Sequence, residues 1–114
     1  MGKLSDQFNG YRQQMNDKLL AYDNNKVIKR IYNVDTNAYL EGALDVKTKE
    51  MLGLIASMVL RCDDCIKYHL EQCKINGVTD DELMEVFGIA NLVGGTIVIP
   101  HTRRAVEYWE DLKS

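Results

Sequence analysis

The sequence predicts an all-α fold, a compact bundle of five to six helices forming one domain over residues 1–114. Three observations predict it. Each strong apolar segment repeats at spacings of three and four, and no run alternates cleanly as a half-buried strand would. Methionine, leucine and alanine are frequent while aromatic residues make up 8%, a bias toward helix formers. One proline and 8 glycines leave little chain for long loops.

The elements follow in order. Phe8, Tyr11, Met15, Leu19 and Tyr22 share one face of a helix over 5–22, which Asp23-Asn24-Asn25 stops. Val27, Ile28 and Ile31 place a short helix at 26–33. Asp35-Thr36-Asn37 is expected to break it, with a second short helix over 36–43. Asp45 is a natural N-cap for a longer helix, 46–61, whose apolar residues from Met51 to Val59 cover a wide arc and predict burial on most sides. A helix over 62–76 ends at Asn76-Gly77, a good C-terminal stop. Thr79 and Glu82 form a capping box, and the helix it opens turns Leu83, Val86, Phe87 and Ala90 inward. Gly94-Gly95 interrupts that helix or admits a close neighbour, and a last helix runs from about 96 to 112 with Pro100 in its first turns. Taken alone, Thr96-Ile97-Val98-Ile99 would pass for a strand.

Net charge is -3 and the pI about 5.3, which argues against nucleic acid or an anionic membrane as the main partner, since both need a basic face. Arg103-Arg104 is the densest basic spot, and Glu107, Glu110 and Asp111 follow it, so it reads as a solvated helix face. The N-terminus has no apolar stretch of signal-peptide length, and the longest apolar run, 86–100, is broken by Asn91 and glycines and is too short to span a bilayer. A cytoplasmic location is therefore expected. The same run is more apolar surface than a 114-residue monomer readily hides, which points to partner copies.

Chemistry concentrates at Cys62-Asp63-Asp64-Cys65. With Cys62 capping the helix and Cys65 in its first turn, the two sulfurs can bond, and the unpaired N–H groups favour a thiolate there. A thiolate attacks a peroxide or a disulfide, and its neighbour resolves the product as an internal disulfide. His69 follows Cys65 by four residues, one turn along the same face, where an imidazole can take the thiol proton. Other readings remain at this point. Cys62, Cys65 and His69 could ligate zinc with Glu50 or His101, or could be core residues. Cys73 is excluded as a co-ligand of Cys65: eight residues are about 12 Å of helix, whereas two sulfurs on one zinc lie within about 4.6 Å of each other. Cys73 is expected in the core, His101 on a helix surface or interface, and no metal or cofactor is assigned.

Glu50, Cys62, Cys65, His69 and Gly77, with their spacing, resemble the alkyl hydroperoxidase D signature of the carboxymuconolactone decarboxylase superfamily. The likeness continues through Thr79 to Leu83, Gly94-Gly95 and the helix from Pro100, covering about 45–112. The resemblance implies an all-α fold assembling as a homo-trimer or homo-hexamer. It implies a peroxidatic Cys65, a resolving Cys62, and a proton relay through His69 and Glu50. Its substrates would be a hydroperoxide or disulfide, and its electron donor a dithiol such as a lipoyl or thioredoxin-like protein.

Two features depart from a simple carry-over. Asp64 stands where active peroxidases of this type often have histidine, and an anion beside the thiols disfavours the thiolate, so a weaker peroxidase is expected. A tight turn between helices 46–61 and 62–76 would set His69 level with about residue 55, leaving Glu50 more than a turn away unless the turn is offset. Two other functions compete: a cofactor-free decarboxylase, which needs cations from among Arg61, Arg103, Arg104 and His101 around its substrate, and a non-enzymatic redox sensor.

Overall fold

A computed structural model describes residues 1–114 as six α-helices and no strand. They are α1 (Lys3–Leu20), α2 (Lys26–Ala38), α3 (Val46–Val59), α4 (Asp63–Ile75), α5 (Asp80–Gly94) and α6 (Ile99–Leu112), with a 3-10 turn at Thr96–Val98. The strand-like run is thus a helical turn. Gly95 precedes it at φ +82°, a conformation that suits glycine.

Two helix boundaries differ from expectation: α1 ends at Leu20, leaving Tyr22 beyond it, and α2 is not divided. Residues 26–38 form a single helix, and no second helix covers 36–43. Asp35, Thr36 and Asn37 are all exposed, so staying helical buries none of their polar groups, and the Thr36 hydroxyl donates to the Tyr32 carbonyl at 3.0 Å.

α3 and α4 fold back on each other through Leu60–Cys62, α5 packs on α3, and α6 packs on α4. Leu54, Met58, Leu70, Leu83 and Val98 meet in the core with no exposed surface, and each such burial contributes about 1.5–3 kcal/mol. α3 is largely covered, as its wide apolar arc predicts, although Leu52 remains exposed. The caps read from sequence form: Asp45 accepts from the Thr48 N–H at 2.7 Å, and Thr79 and Glu82 complete their box.

α1 lies on α6. Its first free N–H groups, those of Leu4 and Ser5, donate to the Asp111 carboxylate at 3.1 and 2.8 Å. Phe8 meets Tyr108 edge to face at 6.0 Å. α2 is held mainly at its C-terminal end, where Lys49 of α3 donates to the carbonyls of Ala38 and Leu40 at 2.9 and 2.6 Å. Its apolar residues Val27, Ile31 and Val34 face solvent, as do Leu92 and Val93 at the end of α5. No helix is long and apolar enough to cross a membrane.

Candidate active site

The site grows from the turn between α3 and α4. Cys62 is the N-cap of α4, and its sulfur accepts from the Cys65 N–H at 3.2 Å. The two cysteines are disulfide-bonded, with Cα atoms 5.2 Å apart. Cys65 is exposed and Cys62 half-buried. Arg61, at φ +60°, lets the chain reverse before the cap, and the Cys62 N–H closes the turn on the Ser57 carbonyl at 3.0 Å.

That turn is offset, and the offset decides where Glu50 falls. His69 lies beside Gly53 rather than level with residue 55: a Cβ added at Gly53 would sit 2.7 Å from His69 Cε1. Glu50 is three residues before Gly53, about 4.5 Å along the helix, within reach of a glutamate side chain. Its Oε1 lies 3.2 Å from His69 Nδ1, within one chain, and only 2% of Glu50 and 8% of His69 are exposed. The glycine leaves the space in which carboxylate and ring meet.

Two tyrosines complete the surroundings of the ring. Tyr68 packs against it edge to face at 5.3 Å, and the Tyr39 hydroxyl lies 3.5 Å from His69 Nε2. Burial raises the Tyr39 phenol above its ordinary range, and the Glu50 charge adds to the effect. Sequence reasoning missed both tyrosines. Tyr39 falls within the expected helix over 36–43 but is instead the C-cap of α2, and the available clue was Gly53, an isolated glycine inside a strong helical pattern.

Cys65 and His69 open on a cleft of about 360 Å³ against α1 and α2. Phe8, Tyr11, Met15 and Tyr68 give it apolar walls, while Arg12, Asp35 and Asp64 bring charge. On the other side of the helix tip, Asp63 accepts from His101 Nδ1 at 2.8 Å and Arg104 Nε at 3.1 Å. Burial works to raise the Asp63 carboxyl, but these bonds outweigh it and hold the carboxyl below its usual value. His101 therefore serves α4 from α6, and Arg104 is tied rather than simply solvated. Of the cations a decarboxylase would use, His101 and Arg104 meet on Asp63, whose carboxylate they neutralise, while Arg103 lines a separate depression with Asn91.

Cys73 is fully buried, and burial, with the Glu50 charge beside it, pushes its thiol up to about 12. No group of three or more His, Cys, Asp or Glu side chains is arranged to hold a metal ion.

Fold and site together define an all-helical protein with an exposed CxxC disulfide above a buried His–Glu pair. The chain belongs to the carboxymuconolactone decarboxylase family, whose model matches residues 26–108. A crystal structure of a family member from Thermotoga maritima, described as having a suggested part in antioxidative response, is 50% identical, with TM-score 0.86 over 94% of this chain and 90% of that one. A family protein from Legionella pneumophila, 24% identical with TM-score 0.80 over 96% and 99% of the two chains, shares the fold. An uncharacterised protein of the cox locus of Paracoccus denitrificans is 24% identical over 74 residues, 65% of this chain and 67% of that relative.

Proposed function

We propose that this protein is a thiol-dependent oxidoreductase of the alkyl hydroperoxidase D type, reducing a hydroperoxide or a disulfide through Cys62 and Cys65. The observation that carries the reading is the disulfide at the exposed tip of α4, one turn from a histidine paired with a buried carboxylate. In the oxidative half, Cys65 thiolate attacks the hydroperoxide, taking one oxygen as sulfenic acid while the alkoxide leaves and gains the proton held by the His69–Glu50 pair. The Cys62 thiol then displaces hydroxide from that sulfenic acid, and disulfide and water form.

In the reductive half, a donor dithiol attacks the exposed Cys65 sulfur. Cys62 departs as a thiolate that the Cys65 N–H is positioned to stabilise. The second donor thiol then releases reduced protein and oxidised donor. A lipoyl or thioredoxin-like donor fits this sequence, and the uncovered apolar residues of α2 and α5 favour assembly of copies into a trimer or hexamer. The suggested antioxidative part of the Thermotoga maritima relative agrees with it.

Peroxide consumption with dihydrolipoamide as donor, compared between wild type and Cys65→Ser, tests the reading. Turnover in the wild type and none in the variant is expected. Unchanged turnover in Cys65→Ser excludes it. Oxidation by one equivalent of peroxide with no recycling by any dithiol favours the redox sensor instead.

A further inference from the structure

His69 has two ring nitrogens, and both are engaged. Nδ1 faces Glu50 Oε1 at 3.2 Å, and Nε2 faces the Tyr39 hydroxyl at 3.5 Å. With Glu50 ionised and the ring neutral, the carboxylate only accepts, so Nδ1 carries the proton and Nε2 offers its lone pair. A phenol that burial keeps protonated is a donor, so the Tyr39 O–H points at that lone pair. We propose that Tyr39 is a positioning residue for the proton-accepting face of His69: its hydroxyl holds Nε2 as an acceptor and sets how readily that nitrogen takes a proton. The proposal rests on the dithiol reading above for its role in turnover, though not for the contact itself.

Three further features put Tyr39 there. Lys49 binds the carbonyls on either side of it, those of Ala38 and Leu40, which anchors its backbone to α3. The Tyr39 and His69 rings lie 5.3 Å apart between centroids, so ring packing adds to the polar contact. Gly53 makes room for both, since a Cβ there would meet the Tyr39 hydroxyl at 2.5 Å as well as the imidazole. The other ionisable groups around the ring are Glu50 on α3, Tyr68, Cys65 and Asp64 on α4, Asp35 on α2 and Arg12 on α1. Tyr39 is the hydrogen-bonding partner of Nε2.

A donor to the neutral imidazole disfavours its protonation. Removing that donor leaves a more basic nitrogen, which is protonated over more of the acidic range and unable to accept there. The test has two arms on Tyr39→Phe, which keeps the ring, with Tyr68→Phe as control. In 15N NMR of the oxidised protein, the Nε2 resonance should move downfield in Tyr39→Phe, toward that of a free lone pair, and stay put in Tyr68→Phe. An unmoved resonance in Tyr39→Phe overturns the proposal, whether or not the protein turns over.

In the second arm, the rate of dithiol oxidation by cumene hydroperoxide is followed from about pH 5 to about pH 8, where imidazoles titrate. The Tyr39→Phe rate should fall roughly three- to tenfold at the acidic end, the factor one such hydrogen bond is worth, and recover at the alkaline end. A uniform loss at every pH means a structural role only and overturns the positioning role. No oxidation by the wild type at any pH defeats the peroxidase reading and leaves the NMR result standing.

Discussion

The tip and the middle of α4 carry the same kinds of residue and treat them in opposite ways. At the tip, Cys65 is exposed and Cys62 half-covered, joined by a disulfide and capped on the helix's own N–H. Two turns further in, Cys73 is fully buried with its thiol pushed up to about 12. Between them His69 is withdrawn from water and fixed on Glu50. The difference teaches that exposure here is set by depth along one helix. In the proposed cycle, the sulfur that meets the substrate is the open one, and the group that holds the proton is closed in. A cysteine placed deeper is packing.

The largest effect that could break this comparison is at the thiols. After mild reduction, iodoacetamide should label Cys62 and Cys65 in the native protein and reach Cys73 only on unfolding. A thiol near 12 holds roughly a thousandfold less thiolate than an ordinary one near 9.0, before access is counted. Peptide mapping that finds Cys73 labelled at a comparable rate would remove the contrast. Next comes His69→Gln, which leaves Glu50 a hydrogen-bonding partner. Oxidation of the dithiol by hydroperoxide should slow by roughly 10²-fold or more, in a stopped-flow assay, while the folded fraction by circular dichroism is retained.

How much of this was legible in the sequence depended on whether the signal was local. The caps at Asp45 and Thr79 and the cysteine–histidine spacing need only a few neighbouring residues, and they stand where the pattern put them. Glu50 required the register between two helices, which rests on the left-handed Arg61 and the bond from Cys62 N–H to the Ser57 carbonyl. Neither leaves a mark in composition, so the simple estimate set His69 two residues off and stranded the carboxylate. The Asp63–His101–Arg104 cluster joins residues 38 and 41 positions apart and was invisible for the same reason. Asp35 and Asn37 read as helix stops, but on a helix exposed along that stretch they bury no polar group, and their modest propensity cost does not break it.

Cys73 also gives the comparison a pH signature. Its folded-state value lies above the ordinary 9.0, so its contribution to stability is fully present below about pH 9 and is lost as pH rises toward about 12. Urea midpoints across that window should fall more steeply for wild type than for Cys73→Ala. Equal slopes would mean the thiol is better solvated than its burial implies. Smaller still is the effect of the two aspartates at the tip. Asp63 is offset by His101 and Arg104, whereas Asp64 is exposed beside Cys65 with no basic side chain on it. Asp64→Asn should speed peroxide oxidation roughly two- to fivefold, the range for an exposed charge. A comparable gain in Asp63→Asn would show that its neutralisation is incomplete.

The smallest expected effect separates the cap that Cys62 forms from the redox role proposed for it. In the proposed cycle it has no substitute, so Cys62→Ser should end recycling. As an N-cap it is a modest acceptor, holding the Cys65 N–H at 3.2 Å through sulfur. Serine ranks among the best caps, because its harder oxygen makes a stronger bond to the same N–H. The reduced protein should therefore melt at the same temperature in Cys62→Ser as in wild type, or gain up to about 1 kcal/mol. Calorimetry under reducing conditions measures this directly. A clear loss of stability would mean that Cys62 contributes packing as well as a cap, and the tip of α4 would then resemble its middle more closely than its exposure implies.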